Sequence, residues 1–120
     1  MSAQSIGLTL WCATMLCVCG STCGAQAQEP VLATWYGKSF QGRRTASGER
    51  YDVRKFTAAH RTLPFGTRLR VCAVKSRRCT VVRVNDRGIG PRFELDLTPA
   101  AFSRLARLRA GVVRVTWRLI

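Results

Sequence analysis

Acidic side chains and histidine are both scarce in this chain of 120 residues. Six Asp and Glu stand against 20 Lys and Arg, which gives a net charge of +14, and His60 is the only histidine. No Cys-x-x-Cys pair and no glycine-rich phosphate loop occurs. A zinc site of the usual His and Cys type and a nucleotide site are therefore not expected, and no metal or other cofactor is predicted. The length excludes a multidomain enzyme, and the positive charge favours a polyanionic partner such as nucleic acid, anionic lipid or an anionic cell wall.

Charged side chains are missing altogether from residues 1–28. The apolar run 6–19 is too short to span a bilayer comfortably, so no stable membrane span is expected. Ala25-Gln26-Ala27 follows the run and has the A-x-A form of a cleavage site. We interpret 1–27 as a secretory signal peptide, although it lacks a basic start, and 28–120 as one exported domain of the periplasm or cell envelope. A lipid anchor at Cys23 is the weaker alternative, because Gly20 stands where a lipid-attachment motif has a large aliphatic residue.

Two of the six cysteines, Cys72 and Cys79, lie outside the predicted signal peptide. In an exported protein, two cysteines most simply form one disulfide. Residues 67–85 resemble a hairpin, and an even-length turn centred between Lys75 and Ser76 places Cys72 opposite Cys79. A cysteine nucleophile acting with His60 is the less favoured alternative.

Short strands dominate the pattern of the predicted domain. Alternating or β-branched runs predict strands at 31–36, 69–73, 80–85 and 113–119, and the polar segment 37–50 reads as a loop. Thr98 and Pro99 predict the start of one helix whose apolar face includes Phe102 and which stops at Gly111. Many short strands and one helix in so few residues suggest a small β-barrel.

Five segments, in order, resemble the rare lipoprotein A family. Ala33–Gly37 is similar to its A-S-W-Y-G opening, and Phe40–Asp52 fits F-x-G-x-x-T-A-x-G-E-x-Y-D. Thr57–Thr67 fits T-A-A-H-x-T-L-P-x-G-T, Val81–Gly88 resembles V-V-V-R-V-N-D-R-G, and Asp96–Ala101 resembles D-L-S-x-A-A. Together the segments cover nearly all of 31–120, which makes the resemblance far more specific than any single motif.

The resemblance implies a mainly β fold, a six-stranded double-psi β-barrel with one or two short helices. It implies a lytic transglycosylase that cleaves the glycan strands of peptidoglycan between MurNAc and GlcNAc. Carried over by position, the catalytic group is Glu49, Asp52, His60 and Asp86, with Asp86 as the candidate acid. Predicted substrate contacts are Trp35, Tyr36 and Arg87, although a buried core position for Trp35 is an equal alternative. The chain departs from the family at Ile89, which replaces a proline, and it lacks the SPOR domain that often follows, so septal targeting by that route is not expected.

The implied reaction needs few acids. The substrate's own C6 hydroxyl attacks C1 in place of water, so one carboxyl can act first as acid and then as base. That carboxyl must hold a proton near neutral pH, which burial or a neighbouring carboxylate favours. We hypothesise that Glu49 or Asp52 lies beside Asp86, and that His60 holds one of these acids by a hydrogen bond. Glu94 and Asp96 precede the predicted helix and are given a structural role.

Two other classes of function compete with this interpretation. A non-catalytic, expansin-like module that binds or loosens wall glycan would keep the barrel without turnover. An arginine-rich nucleic-acid binder would fit the charge, but the predicted signal peptide and disulfide argue against it. The expected partner is therefore peptidoglycan glycan rather than nucleic acid, and the expected state is a monomer.

Overall fold

The computed structural model describes residues 29–88 and 90–120. The predictions for 1–27, namely the signal peptide and the anchor at Cys23, lie outside these residues. Six strands form a closed barrel in the order β1-β5-β2-β4-β3-β6. The strands are β1 Val31–Trp35, β2 Thr57–Ala59, β3 Arg68–Ala73, β4 Cys79–Asp86, β5 Leu95–Leu97 and β6 Val112–Leu119. In the described part of the chain, no helix is long and apolar enough to cross a membrane.

The barrel contains both parallel and antiparallel strand pairings. β1 runs parallel to β5, and β2 runs parallel to β4, while the four other pairings are antiparallel. The inward residues of every strand are small or aliphatic and fill the interior, as expected for a small barrel. The fully buried core includes Ala33, Ala58, Leu69, Val71, Val82, Val84, Leu95, Leu97, Phe102, Leu105 and Val115. The predicted mainly β, six-stranded barrel is confirmed.

The helix begins where the sequence predicts and ends earlier. Helix α1 is Pro99–Ser103, and the Thr98 hydroxyl oxygen accepts a hydrogen bond from the Ala101 N–H. The expected continuation to Gly111 does not form. A separate 3₁₀ turn, Leu108–Ala110, follows instead, and the Trp35 indole N–H donates to the Leu108 carbonyl at 2.9 Å. A second 3₁₀ turn, Lys38–Phe40, lies in the segment predicted as loop.

The β3–β4 hairpin has the predicted register. Cys72 lies opposite Cys79, and the two form a disulfide with a Cα–Cα distance of 4.0 Å. The bridge joins strands that already pair, so its main effect is to limit the freedom of the unfolded chain.

We expect the Cys72→Ala/Cys79→Ala double variant to lose roughly 2.5 kcal/mol of unfolding free energy, the loop-closure entropy of so short a loop. Urea unfolding of the oxidised protein, the reduced protein and the double variant measures the loss. Equal stability of all three would contradict a stabilising bridge.

Candidate active site

Two carboxyl groups lie near each other, one on each side of β2. Asp86 ends β4 and Asp96 lies in the middle of β5, and both are register partners of Ala59 in β2. Because neighbouring strands lie about 4.8 Å apart, the two Cα atoms are roughly 10 Å apart, with both side chains over the same short strand. Asp86 and Asp96 are hereafter called the carboxylate pair.

The Asp86 carboxylate is fixed by three donors. Its Oδ1 accepts from the N–H of Arg87 at 2.8 Å and from the N–H of Ala46 at 2.9 Å. Its Oδ2 accepts from the Tyr36 hydroxyl at 3.3 Å. Each contact uses an oxygen of Asp86 as acceptor, so the group is held in one orientation and serves as a negative charge at a defined place.

The surroundings of Asp96 disfavour its ionised form. Burial, and then the charge of Asp86, raise the pKa of the Asp96 carboxyl above its usual range. Among the three carboxyl groups with a clear pKa shift, Asp96 alone is shifted upward, since those of Glu49 and Asp52 are lowered. A carboxyl with a raised pKa beside a fixed carboxylate is the arrangement by which enzymes separate an acid from a charge stabiliser.

Glu49 anchors the loop that donates a hydrogen bond to Asp86. Its carboxylate accepts two hydrogen bonds of 2.8 Å from the Arg83 guanidinium and one of 3.2 Å from the Asn85 amide. The hydrogen bonds from Arg83 lower the pKa of Glu49 to about 2. Glu49 is thus held as the ionised partner of Arg83. It ties its loop to β4, and that loop supplies the Ala46 N–H that binds Asp86.

The loop itself is a tight turn. The Thr45 N–H and hydroxyl both donate to the Glu49 carbonyl at 2.8 Å. Gly48 takes a φ of +94°, a left-handed conformation that side chains disfavour. The turn brings the Ala46 N–H to Asp86. A backbone donor to Asp86 thus comes from the segment 37–50, which the sequence pattern predicts only as a polar loop.

The Glu49–Arg83 pair makes stability depend on pH at the acidic end. Because the folded-state pKa of about 2 lies below the unfolded value, the stabilisation is complete above about pH 5 and is lost as the pH falls toward 2. We expect Glu49→Gln to lose about 1–2 kcal/mol at pH 7 after solvent screening, with the difference from the parent vanishing near pH 2. Urea unfolding across this pH range tests it, and a difference that does not change with pH would contradict the ion-pair origin.

His60 is buried and its partner is not one of the predicted acids. Its Nδ1 accepts from the N–H groups of Thr62 and Leu63 at 3.1 and 3.2 Å. The proton of the neutral ring therefore lies on Nε2, which donates to Glu94 at 3.0 Å. The hypothesis that His60 holds Glu49, Asp52 or Asp86 is wrong, because two backbone donors and Glu94 occupy both ring nitrogens.

The His60 turn supports the carboxylate pair through Arg87. The Arg87 guanidinium donates to the carbonyls of His60 and Leu63 at 3.1 and 2.8 Å and stacks 4.0 Å from the Phe65 ring centre. The backbone of Arg87 meanwhile donates to Asp86. The structure thus places the side chain of Arg87, a predicted substrate contact, against the protein.

Asp52 lies apart from the pair as a turn residue. Its Oδ1 accepts from the Arg54 N–H and guanidinium at 3.0 and 3.3 Å, which lower its pKa. The hydrogen bonds of the two acids hypothesised as partners of Asp86 go to other groups: Glu49 is bound by Arg83, and Asp52 by Arg54. The acid whose pKa responds to the charge of Asp86 is Asp96, for which a structural role is predicted above.

Aromatic residues border the pair on one side. The Tyr36 ring lies 4.4 Å from that of Tyr51 and 5.6 Å from that of Phe40, measured between ring centres. Burial and the charge of Asp86 raise the pKa of the Tyr36 phenol, which therefore remains a donor. Trp35 points the other way and packs on Phe102 in the core. Of the two predicted stacking residues, Tyr36 is the one the fold places at the carboxylate pair.

A metal ion has no evident place here. Across residues 29–88 and 90–120, no three His, Cys, Asp or Glu side chains converge on a common point. The chemistry available at this site is that of two carboxyl groups with hydrogen-bond donors.

Comparison with known proteins gives a consistent family. The family described as lytic transglycolase matches residues 28–117. The probable endolytic peptidoglycan transglycosylase RlpA of Treponema pallidum is 40% identical over 113 residues, which are 93% of this chain and 34% of that protein. The endolytic peptidoglycan transglycosylase RlpA of Neisseria meningitidis is 46% identical over 85 residues, 69% of this chain and 35% of that protein. The chain spans about a third of the length of these relatives.

Solved structures support the same fold. The Streptomyces papain inhibitor superposes with a TM-score of 0.63 at 26% identity, over 79% of this chain and 96% of that one. The apo expansin of Clavibacter michiganensis superposes with a TM-score of 0.62 at 24% identity, over 76% of this chain and 49% of that one. Both likenesses agree with the predicted double-psi β-barrel.

Proposed function

The chain belongs to the lytic transglycolase family that includes the RlpA proteins, and from this premise we propose that it is a lytic transglycosylase of peptidoglycan. It cleaves glycan strands internally between MurNAc and GlcNAc and leaves 1,6-anhydromuramoyl ends. The observation that supports this most is the carboxylate pair, in which burial and the charge of Asp86 raise the pKa of Asp96. Its place of action is the cell envelope, where the substrate lies.

In the first step Asp96 is the acid. Its proton passes to the glycosidic oxygen, and the C1–O bond breaks as positive charge develops at C1 and the ring oxygen. The fixed carboxylate of Asp86 stabilises that charge, because it needs no reorganisation during the reaction. In this proposal Asp86 stabilises charge, and Asp96 takes the acid role that the family resemblance gives to Asp86.

In the second step the Asp96 carboxylate is the base. It takes the proton of the C6 hydroxyl as that oxygen bonds to C1, which closes the anhydro ring and restores protonated Asp96. No water enters the product. Tyr36 lies beside the pair as a surface on which a sugar ring can stack, a common mode of carbohydrate contact by aromatic side chains.

Digestion of purified peptidoglycan glycan in heavy-oxygen water tests the proposal. A transglycosylase gives anhydromuramoyl ends without heavy oxygen, whereas a hydrolase gives reducing ends that carry it. Mass spectrometry separates the two. Glycan binding without new ends would favour the expansin-like wall module and overturn the enzymatic proposal.

A further inference from the structure

The barrel carries a second polar surface away from the carboxylate pair. Arg68 and Arg70 project outward from β3, and Arg118 projects outward from β6. All three are exposed, and no carboxylate in the described residues lies within 4 Å of them. Arg68, Arg70 and Arg118 are called the basic face.

The strand register places like charges directly opposite each other on this face. Arg70 is the register partner of Arg118, and Arg68 is that of Arg83. Like charges at directly opposite positions of a sheet are destabilising. Arg83 is neutralised by Glu49, but within residues 29–88 and 90–120 Arg70 and Arg118 face each other without such a partner. An arrangement that costs stability in the free protein is relieved when a ligand brings several negative charges at once.

The shape of the basic face favours a flat ligand. Its side chains come from the adjacent strands β3 and β6 on the outside of the barrel, so they point the same way. One exposed apolar side chain accompanies them: Val81, the register partner of Arg70. Guanidinium groups bind phosphate bidentately, and an apolar side chain among them suits the headgroup boundary of a lipid layer.

The basic face also lies across the barrel from β2 and Asp96. In the closed order β1-β5-β2-β4-β3-β6, β6 is three strands from β2 in either direction. β4, which ends at Asp86, is the neighbour of β3, whereas β2 and β5 lie farther round the barrel. A surface bound by β3 and β6 therefore leaves β2 and Asp96 on the far side.

We propose that the basic face binds the surface of a bilayer that contains anionic phospholipid. Binding there is peripheral, through phosphate contacts of Arg68, Arg70 and Arg118, and it holds β2 and Asp96 on the side of the protein facing away from the lipid.

Co-sedimentation of the purified protein with vesicles tests this. Phosphatidylcholine vesicles are compared with vesicles of phosphatidylcholine and phosphatidylglycerol, at low and physiological salt. We expect binding to the anionic vesicles only. The Arg68→Gln/Arg70→Gln/Arg118→Gln variant should bind on the order of 100-fold more weakly, because each arginine near an anionic surface contributes roughly a factor of five.

A matched variant removes the same charge elsewhere. Arg104, Arg107 and Arg109 are exposed around the end of α1, and their replacement by Gln should leave vesicle binding within a few-fold of the parent. Equal loss in both variants would mean that net charge alone acts, which overturns the basic face. Absence of binding to anionic vesicles, with retained binding to soluble polyphosphate, would overturn the lipid as its ligand.

A separate measurement checks that the basic-face variant folds. Thermal unfolding should show the basic-face variant at least as stable as the parent, since a like-charge contact is removed. The vesicles contain no glycan, so their result is independent of the outcome of the digestion experiment.

Discussion

Replacing Asp96 by Asn is expected to lower the rate of glycan cleavage by roughly 10³-fold, the usual worth of a general acid and base. The amide cannot give a proton to the glycosidic oxygen or take one from the C6 hydroxyl. The rate of formation of anhydromuramoyl ends, followed by mass spectrometry, measures the loss. Glu29→Gln, which removes an exposed carboxylate near the start of the described chain, is the matched control and should keep the parent rate.

Stability should move in the opposite direction from activity in the same variant. The raised pKa of Asp96 means that its folded state binds a proton more readily than its unfolded state. Stability therefore falls as the pH rises from the unfolded pKa through the folded one. Above the unfolded pKa the folded state therefore loses stability through Asp96, whereas Asn carries no ionisable group, so the Tm of Asp96→Asn should exceed that of the parent. A lower Tm together with lost activity would point to a structural role instead.

Asp86→Asn distinguishes the two carboxyl groups. It removes the charge that helps raise the pKa of Asp96, so any residual activity should fall off at a lower pH than in the parent. If Asp86 itself were the acid, this variant would lose the proton donor, and its pH profile would show no activity whose decline at high pH could be measured. The pH profile of product formation in both variants therefore decides which carboxyl group carries the proton.

Replacing His60 by Ala is expected to destabilise the protein by about 2–4 kcal/mol. The change leaves the Thr62 and Leu63 N–H groups without their acceptor, removes the partner of Glu94 and opens a cavity beside Trp117. For a domain of this size that is a large share of the total stability. Urea unfolding at pH 7 measures it.

Two conservative variants separate the roles of the two ring nitrogens. Asn at position 60 offers an acceptor near the place of Nδ1 for the turn, whereas Gln reaches toward Glu94 in the place of Nε2. If the turn that anchors Arg87 is the main contribution, His60→Asn should recover more stability than His60→Gln. The reverse order would assign the main contribution to the bond with Glu94.

Local sequence signals predicted the parts of the fold that local interactions determine. The alternation of Leu69, Val71 and Ala73 gave β3, and the spacing of Cys72 and Cys79 gave the register of the hairpin. Thr98 and Pro99 marked the start of α1. The three-residue strands β2 and β5 have no such signal, because three residues are too few to show an alternation. Their strand conformation comes from pairing with distant neighbours.

The site was predictable only as a set of residues. The family resemblance pointed to Asp86, Glu49 and His60, but their partners depend on which strands lie side by side. The sequence pattern places Asp96 before the helix and predicts no strand there. The pairing of β5 with β2 is what brings Asp96 near Asp86. Glu49 and His60 each contact groups at least 34 positions away. Sequence spacing carries no information on contacts of that kind.

The pairing of β1 has a consequence for how the chain folds during its synthesis. β1 forms its hydrogen bonds with β5 and β6, so its partners are the last two of the six barrel strands to be made. Until they emerge, β1 remains an unpaired edge, and the long loop closure makes folding slow compared with a helical domain of equal size. The barrel should therefore stay unfolded, and sensitive to protease on the ribosome, until β6 has emerged.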